Sequence, residues 1–125
     1  WALPRLPRGP VLVYATAAPE AVREVQQRLG VEQAGAMVED TLGRVARALD
    51  ENGAAQRVGA GGETSGAGVQ ALGITQMRIG PQIDPGVPWT VALTAERSAT
   101  PLALALKSGN FGATDFFLKA WELLQ

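Results

Sequence analysis

The sequence has 125 residues, 46% of them hydrophobic and 18% charged, which suits one small domain able to bury a modest core. Its formal charge is −1, and its eleven basic residues are scattered between Arg5 and Lys119, which argues against the basic stripe of a nucleic-acid surface. Cysteine and histidine are both absent, so disulfides, thiolate metal sites, Ser-His-Asp hydrolysis, histidine bases and the usual zinc ligands are excluded, leaving carboxylates, Lys, Ser, Thr and backbone amides for any chemistry.

Residues 1–10, WALPRLPRGP, hold three prolines and read as a connector, because proline breaks helix and denies a central strand its donors. Residues 11–15, VLVYA, form an apolar run without alternation, the pattern of a strand covered on both faces. Pro19 then opens a helix with Val22, Val25 and Leu29 at helical spacing and Gly30 as its stop. A longer helix is predicted over residues 34–52, with Met37, Val38, Thr41, Leu42, Val45 and Leu49 on one face and Gly53 as its left-handed cap. From Arg57 the chain reads as a short strand, a run of glycines and a helix bounded by Gly73. Residues 75–79 alternate as a strand with one wetter face, and residues 80–88, GPQIDPGVP, read as loop. Residues 102–106 form a second buried strand. The final helix begins near Thr114, with Asp115, Lys119 and Glu122 as its polar stripe and Phe117, Ala120, Trp121 and Leu124 as its buried side. Strands alternating with helices predict a single α/β domain with a mainly parallel sheet flanked by helices. No apolar run approaches the ~20 residues of a membrane span and no signal peptide opens the chain, so a cytoplasmic protein is expected. Because the chain opens on Trp1 and has methionine only at Met37 and Met77, it reads as a piece of a longer protein.

Two segments share one design of strand, glycine-rich turn with hydroxyls, and helix. They are Gly61-Gly62-Glu63-Thr64-Ser65-Gly66 and Lys107-Ser108-Gly109-Asn110-Phe111-Gly112. Glycine lets the backbone approach an anion closely, and the free amides of a helix start carry roughly half a positive charge. Thr64, Ser65 and Ser108 add hydroxyl donors, and Lys107 adds a full charge. Neither loop is GxxxxGK[ST] or GxGxxG, and each alone is better read as an ordinary cap, but two in one small domain favour a phosphate site. Glu63 and Asp84 are the carboxylates able to hold a magnesium ion; equally, Glu63 suits a helix first turn and Asp84 the turn before Pro85. Asn110, Phe111 and Trp89 are open between nucleotide contact and structural anchoring.

GGETSGAGVQALGITQMRIGPQIDPGVPWT followed by LALALKSGNFGATDFFLKA resembles the C-terminal nucleotide-binding domain of the four-carbon acid sugar kinase family, and GPVLVYATA fits the same pattern, so the resemblance runs over residues 9–120. It implies ATP-dependent phosphorylation of the terminal hydroxyl of a four-carbon sugar acid of the threonate, erythronate or 3-oxo-tetronate type, with Mg2+ accompanying the nucleotide. It places Gly61, Gly62, Glu63, Thr64 and Ser65 at the nucleotide phosphates, and Ser108, Gly109 and Asn110 around the nucleotide. It also implies that residues 11–125 are a partial nucleotide-binding domain, that the sugar acid is bound by an N-terminal domain outside this sequence, and that the piece alone is inactive. A homodimer covering apolar surface is a further expectation. The sequence departs from the family pattern at Gly59 and Gly68, where bulkier β-branched residues are expected, and at Gln82, where an acidic one is. Two rival readings are a non-catalytic binding or assembly domain with the glycine loops as structural turns, and a nucleotide-dependent ligase or hydrolase.

Overall fold

The computed structural model describes residues 1–93 and 101–124. A 3-10 turn over Leu3–Arg8 occupies the proline-rich opening, with the Arg5 guanidinium donating to the Trp1 carbonyl. Helix α1, Pro19–Leu29, and helix α2, Val31–Glu51, meet at Gly30, so α2 begins three residues before the predicted start. Strand β1, Gln56–Ala60, leads into helix α3, Gly62–Ala71. Strands β2, Met77–Asp84, and β3, Val87–Ala92, form a hairpin; strand β4, Ala103–Lys107, and helix α4, Phe116–Glu122, follow.

The sheet order is β1-β4-β3-β2, with β1 and β4 parallel and the other two pairings antiparallel. The sheet is therefore mixed, and the mainly parallel arrangement expected from the sequence does not form. The reason lies in residues 80–88, predicted as loop. They carry the second half of β2, the turn and the start of β3. Their prolines are tolerated because Pro81 lies on an edge strand next to a register shift, Pro85 sits in the turn, and Pro88 precedes the stretch of β3 that pairs with β4, which begins at Trp89. Gly86, at φ +79°, supplies the left-handed second residue of the turn, after Pro85 at the first, the pairing a type II turn takes.

Strand β4 carries the core on both of its faces. Ala105 points to one side, where Ile83, Val87, Trp89, Phe116 and Ala120 pack beneath α4. Leu102 and Leu104 point to the other, with Ile74, Ala92 and the half-buried Val69, Leu72 and Leu106 beside α3. The Trp89 indole N–H donates to the Ala120 carbonyl at 2.9 Å, which settles this ring as a core anchor. Phe116, rather than the predicted Phe117, enters the core with Ala120 four residues on, the two sharing one face of α4, and Phe117 is left exposed.

Helix α2 packs on α3 through Gly43, where a Cβ would lie 3.2 Å from the Ala71 Cβ, and Arg47 donates to the Ala71 carbonyl at the end of α3. Leu42, Val45 and Leu49 are half-buried on that face, whereas Met37, Val38 and Thr41, expected there, are exposed. Residues 11–15 do not form the predicted strand. They carry no strand assignment, and Leu12 and Tyr14 are exposed, because an unalternating apolar run is stable as a strand only with a ladder partner and cover on both faces.

Candidate functional site

In a parallel pair both carboxyl ends lie at the same edge of the sheet, and that is where the two glycine loops emerge. Ala60 is paired with Lys107, and one residue further the Gly61 amide donates to the Lys107 carbonyl at 2.9 Å. Gly61, at φ +105°, turns the chain into α3, a conformation that L side chains rarely adopt. A Cβ on Gly62 would lie 3.8 Å from the Ser108 hydroxyl, an ordinary van der Waals contact, so the first loop lies directly beside the second. The structure thus brings Gly61, Gly62 and Ser108 together. Thr64 stands close to Gly61, and Glu63 is exposed on the first turn of α3.

Ser65 is placed differently. Its hydroxyl is buried without a hydrogen-bond partner and faces β1, where a Cβ on Gly59 would come within 3.2 Å of it. The glycine at 59 is what lets α3 sit this close to the strand, since a Cβ there would also come within 3.3 Å of the Leu106 side chain. In the second loop Ser108, Gly109 and Asn110 are exposed, the Lys107 ammonium folds onto the Gly109 carbonyl at 2.7 Å, and the Phe111 amide donates to the Ser108 carbonyl at 3.1 Å.

Asp84, the other candidate magnesium ligand, is engaged elsewhere. One carboxylate oxygen accepts from the Ala113 amide at 2.8 Å and the other accepts from the Lys119 ammonium. The Lys119 hydrogen bond, and after it the Ala113 amide, hold the Asp84 carboxyl below the usual carboxylate range; Asp84 in turn raises Lys119 above the usual ammonium range. Lys119 reads from sequence as one member of a solvated stripe, and no local signal ties it to a carboxylate 35 residues away. Among the described residues no three acidic side chains form a metal cluster, and of the two candidate carboxylates Glu63 is the one left exposed beside the loops. One carboxylate suits magnesium arriving with phosphates, since this ion keeps its waters and takes few protein ligands.

A cavity of about 640 Å³ lies behind this edge, lined mainly by apolar residues including Val13, Leu42, Val45, Val58 and Trp121, together with Ser65. Thr64 and Ser65 of the first loop line it, whereas Gly61, Gly62, Ser108 and Gly109 do not.

A sheet whose parallel pair ends in two neighbouring glycine loops, one running straight into a helix, has the arrangement in which α/β domains generally bind nucleotides. The chain belongs to the nucleotide-binding C-terminal domain family, whose family model matches residues 1–117. It is 57% identical over 119 residues to a 3-oxo-tetronate kinase of Pseudomonas fluorescens, which covers 95% of this chain and 27% of the relative. It is 60% identical over 114 residues to a 3-oxo-tetronate kinase of Pseudomonas savastanoi pv. phaseolicola, covering 91% of this chain and 26% of the relative. A solved structure of a Haemophilus influenzae protein superposes with a TM-score of 0.77 at 44% identity, over 90% of this chain and 26% of that one. The resemblance to the C-terminal domain of four-carbon acid sugar kinases is met by these relatives. The chain spans about a quarter of the length of the curated relatives it matches. Among the described residues no helix is long and apolar enough to cross a membrane.

Proposed function

We propose that this chain is the ATP-binding part of a kinase that phosphorylates a four-carbon sugar acid of the 3-oxo-tetronate, threonate or erythronate type, the sugar acid being bound by another part of a longer protein. The observation that carries the reading is the junction of the two loops, with the Gly61 amide on the Lys107 carbonyl and Gly62 facing the Ser108 hydroxyl. The names of the relatives support the same chemistry.

In this reading the amides of Gly62, Glu63 and Thr64 at the start of α3 face the nucleotide phosphates, because the first amides of a helix have no partner within it. Ser108, Gly109 and Asn110 form the opposite wall, and Ser65 supports α3 against β1 from below. Glu63 is the carboxylate positioned to meet the Mg2+ that accompanies the nucleotide. Phosphoryl transfer depends on holding nucleotide, metal and acceptor in line, so the chain by itself is inactive.

Calorimetric titration with ATP and magnesium, on the wild type and on Gly62→Val, tests the reading. The valine side chain projects toward the Ser108 hydroxyl of the second loop, so nucleotide binding is expected to fall at least about tenfold, a loss of about 1.4 kcal/mol. Equal affinity in the two proteins would place the nucleotide elsewhere.

A further inference from the structure

The first glycine loop is held by regular structure on both sides, β1 before it and α3 after it. The second is not. Eight residues separate the end of β4 at Lys107 from the start of α4 at Phe116, and they follow neither strand nor helix. What fixes their path comes largely from the tip of the β2–β3 hairpin. Asp84, the last residue of β2, is buried, with its side chain 8% exposed, and takes the Ala113 amide on one oxygen and Lys119 of α4 on the other. Two residues on, Gly86 lies under the Phe111 ring, so close that a Cβ there would come within 3.1 Å of two ring carbons. Phe111 in turn donates its amide to Ser108. The hairpin tip therefore meets the loop at residues 111 and 113, just beyond the residues assigned to the nucleotide.

We propose that Asp84 is a positioning residue for nucleotide binding: it holds the second glycine loop against the hairpin tip so that Ser108 stays beside Gly62, without itself touching nucleotide or metal. The inference rests on the function proposed above. The chemistry suits the task. A carboxylate accepting from a backbone amide and an ammonium makes two charge-assisted hydrogen bonds, stronger than neutral ones, and it ties three elements to one point. It also accounts for the acidic residue in the IDPG sequence without a metal, since both of its oxygens are already engaged.

The test is Asp84→Asn in the full-length protein, read by amide hydrogen exchange and by steady-state kinetics. Exchange of residues 108–113 is expected to rise about tenfold, with α2 and α3 unchanged, as in local opening confined to one segment. KM for ATP is expected to rise about tenfold while KM for the sugar acid stays as in the wild type, because a loop released from the hairpin tip must be ordered again each time nucleotide binds. A general loss of structure would move both KM values and the exchange of every helix. Lys119→Met, which removes one of the two bonds, is expected to give the same pattern at smaller size, and it carries the test if Asp84→Asn does not fold. Unchanged loop exchange overturns the proposal, and so does faster exchange with an unchanged KM for ATP. A wild type that binds no nucleotide refutes the function proposed above; the holding of the loop by Asp84 is then still supported by faster exchange and overturned by unchanged exchange.

Discussion

Trp89 is the residue on which the α4 side of the core is built, and replacing it with phenylalanine separates its hydrogen bond from its hydrophobic bulk. The indole is 1% exposed, and its N–H reaches the Ala120 carbonyl at 2.9 Å. Ala120 lies in the last turn of α4, where carbonyls lack a partner within the helix, so the indole acts as a cap supplied from the sheet. Phenylalanine leaves that carbonyl buried without its donor, a cost of about 1–3 kcal/mol. The smaller ring also leaves a void that adds roughly 1 kcal/mol. Together the expected loss is about 2–4 kcal/mol, a large share of the roughly 5–15 kcal/mol that holds a domain folded. Urea unfolding followed by far-UV circular dichroism gives the value directly, and at roughly 3–5 °C per kcal/mol the melting temperature should fall by at least about 6 °C. The control is Trp121→Phe, a half-buried ring that meets Trp89 at 5.8 Å and 54°, expected to cost under about 1.5 kcal/mol. Equal losses in the two variants, or a loss below about 1 kcal/mol for Trp89→Phe, would refute the capping role.

Gly43→Leu is expected to destabilise the domain by about 1–3 kcal/mol by forcing α2 off Ala71 and Ala67, whereas Gly35→Ala on the same helix, with nothing within 4 Å, should gain roughly 0.5–1 kcal/mol; thermal melting of both checks the close approach. Acid sensitivity follows from Asp84, whose carboxyl titrates lower in the folded protein than the ordinary value of about 3.9: its contribution is present above that value and lost as pH falls through the lowered one. The urea midpoint of Asp84→Asn should therefore drop less between neutral pH and the acid limb than that of the wild type, and parallel curves would count against the pairing. Lys119 contributes with the opposite sign, fully present below about 10.4 and lost only as pH rises through its raised value, so it leaves the acid limb to Asp84.

What the sequence made legible was whatever its own periodicity encodes. The alternation of leucine and alanine over residues 102–106 marked a strand covered on both faces, and β4 has a core on each side. The glycine clusters after β1 and β4 marked turns at strand ends, and parallel pairing of those two strands brings the turns together. The misreadings share a cause, which is that local pattern does not report a neighbour. Three prolines in residues 80–88 argue against a central strand, but an edge strand, a hairpin turn and the start of an inner strand accept them, the last because β4 pairs with β3 only from Trp89 onward. The run 11–15 has the composition of a buried strand and no strand beside it among the described residues, so composition alone could not make it one. Asp84 and Lys119 look like a turn residue and a surface residue because nothing short of the folded sheet places α4 over the end of β2. The glycine at 59 has the same lesson in reverse. Judged against a family pattern it weakens a strand, but in the fold it makes room for Ser65 and so seats the helix whose first amides form one wall of the proposed site. The residues that position a site are set by tertiary contact, and they are the ones a linear reading assigns to surface or turn.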